Sequence, residues 1–147
     1  MTFFKGQEQY SIDAKGRVNI PAKMRKSISP EANDTFAITR GVDKCIEVYP
    51  LDEWKKYEEK FRSMNQYDER KRYFLRTILR WTEEVSLDSQ QRITIPKKLL
   101  GFAGIEKQAV IVGMGDHIEF WNPEVFEKYL DEHDESYEDV AAEVMTI

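Results

Sequence analysis

The sequence has one cysteine, Cys45, so no disulfide can close within the chain. That fits a reducing compartment such as the cytoplasm. Its two histidines lie far from Cys45 in the numbering, which argues against a structural zinc site. Long apolar runs are missing as well. The longest aliphatic stretch is Ala109-Val110-Ile111-Val112, whereas a membrane span needs about 20 apolar residues. The N-terminus, Met1 to Glu8, has neither an apolar core segment nor a small-residue cleavage site, so no secretory signal is expected. The rest is ordinary for a folded protein. Hydrophobic residues make up 41% and charged residues 33%, too apolar a balance for a disordered chain. At 147 residues the chain suits one domain or two very small ones.

The net charge of −5 hides an uneven distribution. Residues 1–27 carry six basic side chains against two acidic ones, whereas residues 82–147 carry five against fifteen. A surface field depends on charges within a Debye length of roughly 8 Å, so an acidic protein with a basic segment can still bind a polyanion there.

The chain repeats itself. Tyr10-Ser11-Ile12-Asp13 through Arg17-Val18-Asn19-Ile20-Pro21 aligns with Val85-Ser86-Leu87-Asp88 through Arg92-Ile93-Thr94-Ile95-Pro96 at an offset of 75. Cys45-Ile46-Glu47-Val48-Tyr49 aligns with His117-Ile118-Glu119-Phe120-Trp121 at an offset of 72. Two blocks in the same order point to tandem duplication. In each copy, period-2 alternation about a tight turn signals a β-hairpin. Pro21 and Pro96 then open short helices over 22–28 and 96–100. Further strands are expected over 35–39 and 45–49, and over 109–112 and 117–121. Apolar spacings of three and four predict helices over about 51–64 and 68–81, and Pro123 opens another over 124–130. The expected fold is α+β: two tandem β-hairpin/short-helix modules packed as one unit. Residues 1–82 would form the first module with its helices, 83–130 the second, and 131–147 an acidic tail. Modules this small rarely bury enough surface alone. A subunit with internal pseudo-twofold symmetry also offers similar surfaces at two ends, which favours head-to-tail oligomers.

Phe4-Lys5-Gly6, the stretch Ser11 to Pro21, the second Asp-x-x-x-Arg at Asp88 and Arg92, and Ile46 to Pro50 together resemble the MraZ family. The resemblance covers about residues 3–130 and extends to the AbrB-type swapped-hairpin DNA binders. It implies a bacterial transcription regulator, not an enzyme, that needs no cofactor. It further implies a ring-shaped homo-oligomer bound to short direct repeats of double-stranded DNA upstream of the division and cell-wall gene cluster, which includes its own gene. The corresponding location is the cytoplasm, on the nucleoid. Carried over residue by residue, the family's motif points to Asp13, Lys15 and Arg17, and to Asp88 and Arg92. One departure stands out. The second motif reads Asp88-Ser89-Gln90-Gln91-Arg92, without the lysine and glycine of the first. Its turn takes positive φ less readily and has one phosphate-binding charge fewer, so most of the affinity is expected from the first module.

The chemistry suits nucleic acid. Gly16 permits a tight turn close to a phosphate. Lys15 supplies a mobile charge, and Arg17 a planar fork that can grip guanine O6 and N7. Strand parity puts Arg17 and Asn19 opposite Val18 and Ile20, and Arg92 and Thr94 opposite Ile93 and Ile95. Lys23, Arg25 and Lys26 follow as auxiliary phosphate contacts. Asp13 and Asp88 read as turn caps that orient the arginines. The plainer alternative is an ion pair within the hairpin and nothing more, worth about 0–1 kcal/mol when exposed. Arg72, Arg76 and Arg80 line one helix face. They can track a phosphate backbone, pair with nearby acids, or meet a neighbour's acidic C-terminal segment.

Enzymatic signals fail. Gly113-Met114-Gly115 lacks the third glycine of a dinucleotide loop and reads as a turn. Asp116, His117 and Glu119 lack a second histidine for a metal site. Cys45 reads as a small buried hydrophobe. Trp54, Tyr57, Phe61, Phe74 and Trp81 recur at helical spacing and read as core or interface. A rival function is an antitoxin-type module that grips a partner protein through the acidic tail, without specific DNA readout.

Overall fold

The computed structural model describes residues 2–146. Strand β1 (Gln7–Ser11) leads through a tight turn into β2 (Arg17–Asn19), followed by a short helix α1 (Ala22–Arg25). After a 3-10 turn at Pro30–Ala32 come β3 (Thr35–Arg40), β4 (Ile46–Pro50), α2 (Leu51–Arg62) and α3 (Glu69–Trp81). The second repeat runs β5 (Glu83–Ser86), β6 (Arg92–Thr94), α4 (Lys97–Ala103), β7 (Gln108–Gly113), β8 (Ile118–Trp121) and α5 (Pro123–Asp131). A last helix, α6 (Tyr137–Val144), closes the description.

Prolines and side-chain caps mark where helices begin. Pro21, Pro50 and Pro96 sit at the N-caps of α1, α2 and α4, where a missing N–H costs nothing. Asp68 caps α3 by accepting from the Arg70 and Lys71 N–H groups, and Asn122 caps α5 in the same way. Helix α1 ends at Arg25, short of the expected 22–28, because Ser27 and Ile28 turn away through bonds to Met24 and Arg25.

Strands β3/β4 and β7/β8 pair as local hairpins, but β1, β2, β5 and β6 do not. The six-stranded antiparallel sheet has the order β1-β7-β8-β4-β3-β5, and a separate ribbon pairs β2 with β6. Strand β1 of the first repeat pairs with β7 of the second, and β5 of the second with β3 of the first. The turn at Asp13–Gly16 is local, as expected, but its two strands part company and find partners in the other repeat. Exchanging the repeats maps the sheet order onto its own reverse. The pseudo-twofold axis passes between β4 and β8, where Glu47 faces Glu119.

One core therefore belongs to both repeats. Val18 and Ile93, Ile20 and Ile95, and Met24 and Leu99 are equivalent pairs, all buried together with Phe36, Ile38, Ile111 and Phe120. Burying each such side chain contributes roughly 1.5–3 kcal/mol. Neither repeat contains this core alone. On the outer face of the sheet, Tyr49 of β4 packs with Trp54, Tyr57 and Phe61 of α2 and Ile78 of α3. Trp121 of β8 packs against Phe126 of α5. Among the described residues no helix is long and apolar enough to cross a membrane.

Candidate nucleic-acid interface

The β2/β6 ribbon places both Asp-x-x-x-Arg motifs side by side. Arg17 lies opposite Thr94, Val18 opposite Ile93 and Asn19 opposite Arg92. Val18 and Ile93 are buried. By strand alternation, Arg17, Asn19, Arg92 and Thr94 all point to the other, outward face. Because the strands are antiparallel, the two turns sit at opposite ends of the ribbon.

Each turn is built the same way. Asp13 Oδ1 accepts from the Lys15 and Arg17 N–H groups, both at 2.9 Å, while Oδ2 accepts from Arg17 Nε at 2.6 Å. Asp88 Oδ1 accepts from the Gln90 and Arg92 N–H groups at 2.8 and 3.0 Å, and Oδ2 from Arg92 Nε at 2.9 Å. The Arg17 N–H foremost, then its guanidinium, holds the Asp13 carboxyl below the usual range; the Arg92 N–H does the same for Asp88. Both aspartates thus cap the turn and orient an arginine. The ion pair uses Nε and leaves the Nη1/Nη2 edge of each guanidinium for an outside acceptor. The internal pairing and an outward reach are compatible.

Each turn is also stitched to the far end of the opposite repeat's ribbon strand. The Ile95 N–H donates to the Gly16 carbonyl at 2.8 Å, and the Ile20 N–H to the Gln91 carbonyl at 3.2 Å. Asn19 Nδ2 donates to the Gln90 carbonyl at 2.9 Å. Asn19, expected to face outward, is therefore exposed but spends a donor on the opposite repeat. Gly16 has φ +83° and Gln91 φ +63°, so the second turn keeps its shape with a side chain in the left-handed region.

The auxiliary residues separate. Lys15 is exposed at the tip of the first turn, and Lys23 and Lys26 are exposed along and just after α1. Arg25 is half-buried and donates through Nη1 to the Ile20 carbonyl, so it braces the end of β2. Lys98, equivalent to Lys23 in the repeat, is turned toward Glu83 (3.5 Å) and the Arg80 carbonyl (2.9 Å). Arg72 donates to the Gln66 carbonyl at 3.0 Å, while Arg76 and Arg80 are exposed on α3. This stripe is not part of the ribbon.

A second polar cluster lies on the outer sheet face; the sequence showed only its Asp116, His117 and Glu119, because Glu47, Tyr49 and Tyr57 join them from the other repeat. Tyr49 donates to Glu47 (2.9 Å), Trp121 Nε1 to Glu119 (2.9 Å) and Tyr57 to Asp116 (2.7 Å). His117 Nδ1 meets Asp116 at 2.7 Å, its Nε2 lies 3.8 Å from Glu119, and its ring stacks on Tyr49 at 4.6 Å. Burial alone would lower the His117 pKa, but Glu119 and Asp116 outweigh it and hold the imidazole above its ordinary value. Cys45, Glu47 and Glu119 bring one ligand atom each within 4.8 Å of one another, a different set from the histidine-based one weighed in the sequence. Burial first, then the surrounding carboxylates, pushes the Cys45 thiol far up, which keeps it protonated and a poor nucleophile.

An α+β chain of two tandem repeats, exchanging strands around a shared ribbon that carries a matched pair of Asp–Arg turns, is a repeat-built binding protein. Residues 3–77 and 78–146 each match the family described as "MraZ protein, putative antitoxin-like". The chain is 39% identical over 142 residues to "Transcriptional regulator MraZ" of Natranaerobius thermophilus, covering 97% of this chain and 96% of that one. It is 40% identical over 139 residues to the protein of the same name from Halothermothrix orenii, covering 95% and 94%. The chain belongs to the MraZ family of transcriptional regulators, with two copies of the family repeat, and not to a family of enzymes.

Proposed function

We propose that this protein regulates transcription by binding double-stranded DNA specifically through the outward face of the β2/β6 ribbon. The observation that carries the reading is the matched presentation of Arg17 and Arg92 on one face, each held at Nε by its own aspartate. A major groove admits a two-stranded ribbon, and a preset guanidinium can read guanine O6 and N7 at roughly 1–3 kcal/mol of discrimination. Lys15 supplies a phosphate contact at the end of the ribbon where Arg17 sits, and Lys23 another from α1, beyond the far end of β2. The other end offers Gln90 in place of Lys15, so the first repeat carries more of the affinity.

One ribbon offers few phosphate contacts. Strong binding then requires several copies on several repeats of the site, as in the ring-shaped homo-oligomer on direct repeats that the family resemblance implies. The reading extends to the division and cell-wall gene cluster with the protein's own gene as the target, and to a cytoplasmic, nucleoid-associated location. Binding should fall steeply with salt. A fluorescence-anisotropy titration tests it, with duplex DNA from directly upstream of the protein's own gene against a shuffled duplex, at two salt concentrations. Preference for the upstream duplex at the higher salt supports the reading. Equal weak binding that vanishes with salt overturns it.

A rival reading rests on the exposed acidic α6 and on the antitoxin-like description of the family: a module gripping a partner protein. It predicts a stoichiometric small partner in pull-downs and no sequence preference on DNA.

A further inference from the structure

Helix α6 is a formed helix with no buried residue. Ser136 caps it through the Asp139 N–H at 3.1 Å. Its sequence is amphipathic. Tyr137, Val140, Ala141 and Val144 fall at i, i+3, i+4 and i+7 and form one apolar stripe. Tyr137 and Val144 are 82% and 54% exposed. Glu138, Asp139 and Glu143 flank and back that stripe, and beyond Lys128 the sequence has no lysine or arginine. An eight-residue helix is too short to persist on propensity alone. It needs a surface to cover its stripe.

The matching surface is on α3. A groove of about 320 Å³ is lined by Gln66, Arg72, Leu75, Arg76 and Leu79. Leu79 is 51% exposed on its floor. Helical spacing runs Arg72, Arg76 and Arg80 along one side of Leu75 and Leu79, with Lys71 on the other. Leu75 is buried at the base, so Leu79 is the apolar surface facing solvent, and its margins are basic. The helix that lacks a partner is an apolar strip with acidic margins. The basic stripe lies outside the ribbon, so the proposed DNA contacts do not use it.

We infer that α6 of one copy docks in the α3 groove of a second copy, its stripe on Leu75 and Leu79 and its carboxylates against Arg76 and Arg80. The contact is heterologous: the groove and the helix are different surfaces, so each copy can give one and receive one. Such contacts propagate around a ring or along a filament. The inference rests on the reading that the protein self-assembles, and it assigns the surfaces that do so.

The test is sedimentation velocity on the full-length protein. Val140→Asp with Val144→Asp should weaken self-association by about a hundredfold with the circular dichroism spectrum retained, because no residue of α6 is part of the core. Arg76→Glu with Arg80→Glu, and separately Glu138→Lys with Glu143→Lys, should each weaken it by about tenfold or more. Mixing these last two variants one to one should restore assembly, since each variant's altered surface meets its complement on the other. Two results overturn the inference: variants that assemble like the wild type, or reversals that fail to rescue on mixing. A monomeric wild type would refute self-assembly itself. A wild-type oligomer indifferent to these changes would refute only this docking.

Discussion

Gly16 and Gln91 hold equivalent turn positions 75 residues apart, both at positive φ, and each carbonyl accepts a hydrogen bond from an isoleucine of the opposite repeat. The environments differ in one respect. A Cβ on Gly16 would lie 2.7 Å from the Ile95 carbonyl oxygen, while the Gln91 side chain is exposed. Gly16→Ala should therefore destabilise the protein by about 1–3 kcal/mol, from the clash and the left-handed backbone together. Gln91→Gly should be neutral or stabilising by up to about 1 kcal/mol. Urea unfolding of both variants checks this, and equal effects would contradict it.

The interleaving of the repeats makes a prediction about cooperativity. With β1 on β7, β5 on β3 and β2 on β6, neither repeat can unfold while the other keeps its sheet. Thermal unfolding should show one transition by both fluorescence and circular dichroism. Ile93→Ala, at the buried centre of the ribbon, should cost about 2–5 kcal/mol and shift that single transition intact. Two separated transitions would show independent modules.

Much of this was legible in the sequence. The duplicated Asp13–Arg17 and Asp88–Arg92 stretches disclosed both turns, and the alternation of Arg17, Val18 and Asn19 disclosed which face is buried. The prolines at 21, 96 and 123 marked helix starts. What stayed hidden was that β1, β2, β5 and β6 pair across the repeats. A strand that alternates satisfies its period equally well with a partner in its own repeat or in the other, and the turn at Asp13–Gly16 favours the nearer choice. The cluster of Glu47, Tyr49, His117 and Glu119 was hidden for the same reason, since Glu47 meets Glu119 only once the repeats pair. The positive φ of Gln91 was masked by its side chain, though its alignment with Gly16 was the available signal.

That cluster sets a pH dependence. A histidine whose folded-state pKa exceeds its ordinary 6.5 stabilises the fold fully below about pH 6.5, and the contribution is lost as pH rises through the folded value. The groups facing it are Asp116, Glu119 and Glu47, with the Tyr49 ring stacked on it. Burial pushes the Glu47 carboxyl up, so its own cost begins lower, above about pH 4.5. The melting temperature should fall from pH 6 to pH 8. His117→Gln should melt lower at pH 6 and change less over that range. Parallel profiles for the two proteins would remove His117 from the account.

The aspartates are assigned to orientation rather than contact. Asp13→Ala removes the acceptor of two N–H groups and frees Arg17. Affinity for the upstream duplex should drop about tenfold, with little change in the salt slope, because no phosphate contact is lost. A changed slope would place Asp13 in the phosphate-binding surface instead.

The most direct measurement compares wild type, Arg17→Ala and Arg92→Ala by anisotropy on the upstream and shuffled duplexes, with sedimentation velocity on each protein. Arg17→Ala should abolish the preference for the upstream duplex while the oligomer and the spectrum stay unchanged, and Arg92→Ala should weaken it less. An Arg17→Ala protein that keeps its preference, or loses it only by dissociating or unfolding, would contradict the assignment of the ribbon as the DNA-reading surface.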